Sequence, residues 1–379
     1  MDIEQIDPAD VARRLRAGAV LIDVREPHER AGGQAEGAQG IAVAHLVANP
    51  AAHLPALDTQ VLLICQSGQR SLQAAQLLAA AGYARVSSVA GGTTRWRALG
   101  LPTVVPMLDT DERDFLERYS RQLRLPQIGS AGQKRLEAAR VLVVGAGGLG
   151  SPSAYYLAAA GVGHVRIVDA DTVDRSNLHR QILHDDARVG RPKVASAAQT
   201  LSALNPRVRI EPVGEMVDSA NVDALLQGVD VVLDGSDNFP ARYLLNDACV
   251  KHGLPLVYGA VQGFEGQASV FDAGRQRGLL PCYRCLFPEP PAPEFAPNCA
   301  EAGVLGVVPG LVGLIQATEV LKLLLQMGTP LSGRLLHVDA LGMRFRQTRL
   351  APDPDCRVCA PGRAFPGYID YQRFCAGPG

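Results

Sequence analysis

The segment from residue 141 to residue 160 constrains the fold more than any other part of the chain. It begins with the apolar run VLVV, continues with GAGGLG and ends in SPSAYYLAAA, which is compatible with a helix. A strand, a glycine turn and a helix in this order bind phosphate, because glycine allows close approach and the helix start offers free N–H groups. We therefore predict a nucleotide-binding turn with the glycines Gly145, Gly147, Gly148 and Gly150.

A second apolar strand, predicted at residues 165–168, ends in Asp169. A doubly wound Rossmann-type fold places an acid that hydrogen-bonds ribose hydroxyls about 20 residues beyond its glycines, which is where Asp169 stands. Up to this point the pattern fits a nicotinamide or flavin dehydrogenase as well as an ATP-binding enzyme.

The residues after Asp169 favour a triphosphate over a dinucleotide. Asn177 and Arg180 are one helical turn apart, and Lys193 follows in the sequence GRPKV. Backbone N–H groups already bind the pyrophosphate of a dinucleotide, whereas the higher charge of a triphosphate requires cationic side chains. We predict that these side chains bind the phosphates of ATP.

In GAGGLGS, DADTVDRSNLHRQ and GRPKV the sequence closely resembles the MoeB/ThiF family, relatives of ubiquitin-activating enzymes that adenylate the C-terminal glycine of a ubiquitin-like protein. The resemblance implies a Rossmann-like doubly wound domain that uses ATP and Mg²⁺. It also matches Arg121, in the sequence RYSRQ, to the arginine that reaches the triphosphate of the neighbouring subunit. A homodimer is therefore implied.

A further buried strand, predicted at residues 229–233, leads into the sequence DGSDN. Carboxylates at the carboxyl end of a strand, on the same edge as Asp169, are placed to bind a hard cation such as Mg²⁺ beside phosphates. Asp237 matches the metal-binding aspartate of the family. Asn238 is also a candidate N-cap for a helix predicted at residues 240–251, and the two roles are compatible.

Two C-x-x-C pairs, Cys282/Cys285 and Cys356/Cys359, occur in the second half of the chain. A thioredoxin-like redox site would need only one pair. Four thiolates complete a tetrahedral zinc site without an open position for substrate, so we predict a structural Zn²⁺ site. The family has the same pattern.

The remaining cysteines of this half lack a partner motif. A proline-rich segment between the two pairs predicts an extended crossing loop, from which Cys299 emerges. By resemblance, Cys299 is the cysteine that forms a thioester or acyl disulfide. We interpret Cys249 as a helix-core residue and Cys375 as part of a frayed tail.

The first hundred residues predict a small α/β domain with strands at Val20–Asp23, Val61–Ile64 and Val86–Val89 and a helix at residues 71–81. Cys65 follows the second strand in the sequence CQSGQRS. Loop N–H groups, a helix start and Arg70 would favour its thiolate, which makes it a nucleophile or a carrier of anionic sulfur.

In LIDVREPHE, CQSGQRS and GGTTRW this domain resembles a rhodanese. Related cysteine phosphatases use a loop one residue longer, so the spacing from Cys65 to Arg70 favours sulfur over phosphate. One departure is GQAEGA, where the family usually has GHIPGA. The alternative is an inactive rhodanese fold used for docking, but such domains usually lack the cysteine.

Composition narrows the class and the compartment. The 379 residues include 37 basic and 38 acidic ones, so nothing indicates affinity for nucleic acid or for an anionic membrane. The N-terminus does not resemble a signal peptide. The most apolar stretch, residues 303–325, contains Pro309 and is interrupted by polar residues at helical spacing, which predicts a packed helix. Cysteine in C-x-x-C pairs predicts a reducing, cytoplasmic location.

Together these patterns predict an α/β protein with a rhodanese-like sulfurtransferase domain at residues 1–105, a linker at 106–117, a MoeB/ThiF-like adenylation domain at 118–360 and a tail at 361–379. The resemblance implies that it adenylates a ubiquitin-like sulfur carrier of the MoaD/ThiS type. A persulfide on Cys65, loaded from a cysteine desulfurase or thiosulfate, then yields the thiocarboxylate. The catalytic residues are Cys65, Arg70, Cys299 and Asp237.

The sequence leaves two questions open, the activity and the pathway. The same sequence fits a scaffold that binds nucleotide and delivers sulfur without adenylating anything. We favour molybdopterin synthesis as the pathway, and thiamine synthesis and tRNA thiolation remain alternatives.

Overall fold

The computed structural model describes residues 3–54, 56–107, 109–291 and 303–376, and the chain divides into two units, Met1–Arg124 and Leu125–Gly379. The strands are β1 (Glu4–Ile6), β2 (Val20–Asp23), β3 (Gln34–Ala35), β4 (Ala38–Gly40), β5 (Val61–Ile64), β6 (Val86–Val89), β7 (Thr103–Val104), β8 (Arg140–Val144), β9 (His164–Val168), β10 (Arg209–Val213), β11 (Val231–Asp234), β12 (Leu256–Gln262), β13 (Glu265–Phe271), β14 (Arg334–Asp339) and β15 (Arg344–Arg349). The α-helices are α1 (Pro8–Arg16), α2 (Pro27–Arg30), α3 (Val43–Ala48), α4 (Gln69–Ala80), α5 (Gly92–Ala98), α6 (Thr110–Arg118), α7 (Gly129–Ala138), α8 (Gly150–Ala160), α9 (Lys193–Leu204), α10 (Val222–Leu225), α11 (Phe239–His252), α12 (Tyr283–Leu286), α13 (Val307–Leu325) and α14 (Tyr371–Ala376).

The N-terminal unit contains a five-stranded parallel sheet in the order β1-β6-β5-β2-β4. The strands predicted for this domain are confirmed as β2, β5 and β6. All four residues of β5 are buried, as expected for a central parallel strand covered on both faces. The carboxyl end of β5 leads directly into Cys65, so the reactive loop lies at the carboxyl edge of this sheet.

The segment predicted as a linker contains the helix α6. Asp109 caps it by accepting a hydrogen bond of 2.7 Å from the Glu112 N–H. Phe115, Leu116 and Tyr119 are buried and pack together. The run of charges therefore forms only the outer face of this helix, because the apolar residues recur at helical spacing on the other face.

The C-terminal unit is built on an eight-stranded sheet in the order β10-β9-β8-β11-β12-β13-β14-β15. The strands from β10 to β12 are parallel, and those from β12 to β15 are antiparallel. The chain runs outward from β8 in both directions, through β9 on one side and β11 on the other. This reversal is the switch point at which doubly wound sheets bind ligands.

The helix α13 packs against this sheet, as its interrupted apolar pattern predicts. Gln316 is fully buried and donates a 2.7 Å hydrogen bond to the Asp234 carbonyl oxygen, and Glu319 accepts one from the Leu331 N–H. By length and composition alone this helix could cross a membrane, since it has 19 residues and a mean hydropathy of 1.6. Core helices of globular domains meet the same criterion, and 44% of its apolar window is buried here.

The C-terminal segment folds back onto α11. Tyr371 is buried and Phe374 packs edge-on against Tyr243, with ring centroids 5.1 Å apart. The interpretation of Cys375 as part of a frayed tail is therefore wrong: it lies half-buried in α14, against the apolar core. Aromatic residues spaced three apart give the short helix an apolar face. Cys249 is confirmed as a helix-core residue, being 1% exposed in α11.

Candidate functional site

The glycine turn between β8 and α8 has the geometry of a phosphate-binding turn. Gly145 has a φ of 94°, and a Cβ there would lie 2.5 Å from the Gly235 carbonyl oxygen. A Cβ on Gly150 would lie 1.8 Å from the Gly145 carbonyl oxygen. Only glycine fits both positions, so the turn is tight enough for its backbone to approach a phosphate closely.

A cavity of about 1420 Å³ lies at the carboxyl ends of the parallel strands, next to this turn. Its size suits a nucleotide together with part of a second substrate. Most of the nucleotide-binding residues predicted from the sequence line this cavity. These are Gly145, Gly147, Gly148, Asp169, Arg180, Lys193 and Asp237.

Three further predicted site residues are Asn177, Arg121 and Cys299. The Asn177 side chain accepts a 2.7 Å hydrogen bond from Arg180, so it orients a cavity-lining cation. Arg121 is exposed and belongs to the N-terminal unit. Cys299 lies outside the described residues, so its role stays a prediction.

Asp169 follows β9 directly, and Lys193 is the first residue of the next α-helix, α9. The Asp169 carboxylate accepts 2.8 Å hydrogen bonds from the Ala146 and Asp171 N–H groups, which fixes it against the glycine turn. Lys193 begins α9, is 5% exposed and pairs with Asp171 at 2.8 Å. A phosphate could replace Asp171 as the partner of this ammonium group.

The two aspartates after β11 have different environments. Asp234 is fully buried, and it accepts hydrogen bonds from both the N–H and the hydroxyl of Ser236; burial raises its pKa. Asp237 is exposed in the cavity wall. Asn238 is confirmed as the N-cap of α11 because its side chain accepts a hydrogen bond from the Ala241 N–H. Asp237 is therefore the carboxylate that remains available to a cation.

Sequence reasoning missed Arg242, which lines the cavity, and His184, which lies outside the cavity lining. Arg242 is 9% exposed; it donates a 3.1 Å hydrogen bond to the Ser236 carbonyl oxygen and stacks over the Tyr258 ring. His184 is buried beneath the glycine turn, with Nε2 3.0 Å from the Ala146 carbonyl oxygen and Nδ1 2.9 Å from Ser196 Oγ. A single Arg or His inside a helix or a turn carried too weak a pattern to predict either contact.

His184 contacts the turn as a neutral donor. Burial lowers its pKa below the ordinary value. A neutral imidazole that donates from Nε2 to the Ala146 carbonyl oxygen accepts at Nδ1 from the Ser196 hydroxyl. The backbone of Ala146 is thus held on both sides, by His184 at the carbonyl oxygen and by Asp169 at the N–H.

The Cys65 loop forms a separate site in the N-terminal unit. Cys65 is 1% exposed, and its sulfur accepts hydrogen bonds from the Gly68 N–H at 3.2 Å and the Ser71 hydroxyl at 3.4 Å. Gly92 lies so close that a Cβ there would be 2.2 Å from the Cys65 carbonyl oxygen. The loop is therefore a narrow cradle for a single sulfur atom with neutral hydrogen-bond donors.

Arg70, in the first turn of α4, is paired with Glu29 rather than with the sulfur. Its two terminal nitrogens lie 2.8 and 2.6 Å from the two carboxylate oxygens of Glu29. This hydrogen-bonded pair raises the pKa of Arg70. Burial alone would raise the pKa of Glu29, but hydrogen bonds from Arg70 and the Glu26 N–H lower it. Sequence reasoning missed Glu29 because the two partners are 41 residues apart.

The two C-x-x-C pairs converge in the C-terminal unit. The four sulfur atoms of Cys282, Cys285, Cys356 and Cys359 lie within 4.8 Å of one another, and three of their separations are 3.4, 3.6 and 3.9 Å. Tetrahedral zinc with Zn–S bonds of about 2.3 Å requires sulfur separations of about 3.8 Å. The cluster therefore fits a zinc site, and its burial leaves no room for substrate.

Comparisons with known sequences match two separate parts of the chain. The ThiF family profile matches residues 119–358, and the profile of the rhodanese-like domain matches residues 7–99. The SAMP-activating enzyme E1 of Haloferax volcanii is 53% identical over 262 residues, which cover 69% of this chain and 95% of the relative. The sulfur carrier protein adenylyltransferase of Thermus thermophilus is 50% identical over 264 residues, covering 69% of this chain and 97% of the relative.

Longer relatives match over the same part of the chain. The adenylyltransferase and sulfurtransferase MOCS3 of Mus musculus is 50% identical over 69% of this chain and 56% of its own length. Among solved structures, E. coli MccB with succinimide superposes with a TM-score of 0.56 at 18% identity, covering 71% of this chain and 85% of that one. At that identity the likeness concerns the fold alone.

Proposed function

Because the chain belongs to the ThiF family and carries a rhodanese-like domain, we propose that it activates the C-terminal glycine of a ubiquitin-like sulfur carrier with ATP and converts it to a thiocarboxylate. The chain is an adenylyltransferase and a sulfurtransferase. The observation that carries the proposal is one chain with both a nucleotide cavity at the switch point of a doubly wound sheet and a sulfur cradle around Cys65.

The nucleotide cavity supplies the adenylation chemistry. We assign the ATP phosphates to the glycine turn, Arg180 and Lys193, and the ribose to Asp169. The carrier carboxylate attacks the α-phosphorus, and the bond from that phosphorus to the pyrophosphate breaks. The protein binds and orients both reactants and neutralises the charge that develops on the phosphates.

Two further contributions to this site are proposals that rest on the resemblance. Asp237, an exposed carboxylate in the cavity wall, fits as the residue that would hold Mg²⁺. When bound, that ion supplies positive charge beside the phosphates. Arg121 would reach the triphosphate held by the partner protomer of a homodimer.

The sulfur step uses the second site. A persulfide on Cys65 attacks the acyl carbonyl, AMP leaves and an acyl disulfide forms. A second thiol attacks Cys65 Sγ, which releases the carrier as a thiocarboxylate and leaves Cys65 in a disulfide with that thiol. By the resemblance, Cys299 is the cysteine that forms a thioester or acyl disulfide with the carrier.

Zinc completes the proposed cofactor set. The four cysteines would hold one Zn²⁺ that joins the helix α12 to the segment after β15. Since all four ligand positions are filled by protein, the metal would stabilise the fold and take no part in catalysis.

We propose molybdopterin synthesis as the pathway, with thiamine synthesis and tRNA thiolation as alternatives, and a cytoplasmic location. The test is carrier-dependent ATP–pyrophosphate exchange with purified MoaD-like and ThiS-like carriers, followed by mass spectrometry of the carrier. Exchange and a carrier heavier by the replacement of oxygen with sulfur support the proposal. Sulfur transfer without any exchange would favour the scaffold alternative.

A further inference from the structure

The Arg70 guanidinium, whose charge acts on Cys65, is paired with a carboxylate. Both terminal nitrogens of Arg70 donate to Glu29, in a bidentate geometry that matches the shapes of the two groups. Glu29 is in turn fixed, because one of its oxygens also accepts a 3.0 Å hydrogen bond from the Glu26 N–H. The positive charge beside Cys65 is therefore balanced by a carboxylate that the helix α2 holds in place.

The buried Arg25, which reaches the loop through Gln66 Oε1 at 3.5 Å, is balanced as well. Arg25 is 1% exposed, and its buried guanidinium pairs with Asp23 at 2.6 Å. Glu26 adds a second carboxylate on the side of Glu29 and contributes to the raised pKa of Arg70. The carboxylates of Glu29 and Glu26 therefore oppose the entry of a second negative charge beside Arg70.

The sulfur itself is bound by neutral groups. Cys65 Sγ accepts from the Gly68 N–H and the Ser71 hydroxyl, and Ser71 is held by Ser88 at 2.9 Å. Such dipoles stabilise one negative charge on a thiolate or a persulfide. They do not compensate a second charge brought in by the donor.

We propose that Glu29 is a specificity-determining residue, which makes Cys65 take sulfur from singly charged donors of the persulfide class in preference to the dianion thiosulfate. This inference rests on the proposed sulfurtransferase function and names its donor class. A persulfide R–S–S⁻ brings one negative charge and leaves as a thiolate, whereas thiosulfate brings two charges and leaves as sulfite.

The chemical step is the same for every donor. The Cys65 thiolate attacks the terminal sulfur, the sulfur–sulfur bond to the leaving group breaks, and the leaving group departs with that electron pair. No external oxidant or reductant is required. Donors therefore differ in the charge that must enter the loop and in the leaving group.

Two small donors of different charge test the inference. Thiosulfate is a dianion, and benzenethiosulfonate is a monoanion that also transfers a terminal sulfur. The experiment measures kcat/KM for each donor with the full-length protein and cyanide as acceptor. For Glu29→Gln we expect kcat/KM to rise about tenfold with thiosulfate and about threefold with benzenethiosulfonate. The substitution adds one net positive charge to the site, and this charge attracts the dianion twice as strongly as the monoanion. The gain should shrink at high ionic strength.

Two control variants separate charge from structure. Glu29→Asp keeps the negative charge but shortens the side chain, so the donor preference should stay that of the unmodified protein. Glu4→Gln removes the carboxylate of another bidentate pair, with Arg14, at the opposite end of the strands. Glu4→Gln should leave kcat/KM unchanged with both donors. That result would show that a change in the overall charge of the protein does not alter the donor preference.

The outcomes are distinguishable from those of the proposed function. Equal gains or equal losses for both donors in Glu29→Gln overturn the inference, while sulfur transfer by the unmodified protein leaves the proposed function intact. If neither the protein nor the variant forms thiocyanate from either donor, the sulfurtransferase proposal fails and the inference fails with it.

Discussion

The ammonium nitrogen of Lys193 lies 2.8 Å from a carboxylate oxygen of Asp171, and while the lysine is 5% exposed, the side chain of its partner is 69% exposed. A buried cation whose partner faces solvent can exchange that partner for a ligand phosphate at little cost. This pair borders the cavity at the end of β9.

Removing Lys193 should therefore abolish adenylation. We expect Lys193→Ala to lower carrier-dependent ATP–pyrophosphate exchange more than 100-fold, since the loss of one close charge partner of a triphosphate costs about 3 kcal/mol. Asp237→Ala should behave similarly. Sulfur transfer to cyanide should be unchanged in both variants because the Cys65 loop belongs to the other unit.

The matched control for Lys193 is Asp171→Asn, which keeps the cation and removes its exposed partner. Exchange should then stay within about threefold of the unmodified protein, because in the nucleotide-bound protein a phosphate takes the place of Asp171 as the partner of Lys193. Normal exchange by Lys193→Ala would contradict the assignment of this lysine to the phosphates.

The four-cysteine cluster should contain about one zinc per chain, as expected for a closed tetrahedral site. Cys356→Ser should lower both the zinc content and the melting temperature, because the remaining ligands form a weaker site. Cys375→Ser, in a half-buried cysteine outside the cluster, should keep the metal. Elemental analysis with thermal unfolding tests this; a folded, active and zinc-free preparation would refute it.

His184 should make the C-terminal unit less stable in acid. Burial lowers its pKa in the folded state, so as the pH falls below about 6.5 the unfolded chain binds the proton first and unfolding is favoured. His184→Gln should cost about 1–2 kcal/mol near pH 8 through lost hydrogen bonds. The difference from the unmodified protein should narrow towards pH 5.5.

Urea unfolding of both proteins across this pH range measures that difference. Other histidines are common to both proteins and cancel in the comparison. His337→Gln, in a half-exposed histidine of the same unit, should run parallel to the unmodified protein. A difference for His184→Gln that is independent of pH would show that His184 is not held neutral beneath the turn.

The C-terminal helix α14 should contribute measurably to stability. The Tyr371 hydroxyl donates a 2.8 Å hydrogen bond to Asp247, which is buried and also pairs with Arg284. Tyr371→Phe should lower the free energy of unfolding of this unit by about 1–2 kcal/mol, since hydrogen bonds to buried charges are strong.

The control is Tyr368→Phe in the same segment. Its hydroxyl donates to Asp223, whose side chain is 43% exposed and also pairs with Lys251 and His252. The loss there should be well under 1 kcal/mol. Equal effects of the two substitutions in chemical denaturation would mean that the helix does not depend on its contact with Asp247.

Much of the architecture follows from short segments. The order of strand, turn and helix at residues 141–160, the buried strands β2, β5 and β6, the Asn238 cap and the packed helix α13 were all predicted, because each depends on periodicity or on residues a few positions apart. The two cysteine pairs predicted a metal site in the same way, since ligand spacing is a local property.

The interpretation of the C-terminal segment as a frayed tail was wrong, because that segment forms α14, with Tyr371 against Asp247 from α11. The predicted linker contains the helix α6, which the sequence analysis did not predict. Composition makes both segments resemble exposed connections. Their apolar faces become informative only when the surface that they cover is known.

The sequence by itself determined which residues carry the chemistry: the glycine turn, the cations that follow it, the cysteine loop and the four zinc-ligand candidates. Only the tertiary structure decided how their charges are balanced. It pairs Arg70 with Glu29, Lys193 with Asp171 and His184 with the Ala146 carbonyl oxygen. The physical reason is that hydrogen bonds and ion pairs depend on distances of a few ångströms, and residues far apart in the chain reach such distances only when the sheets and helices pack.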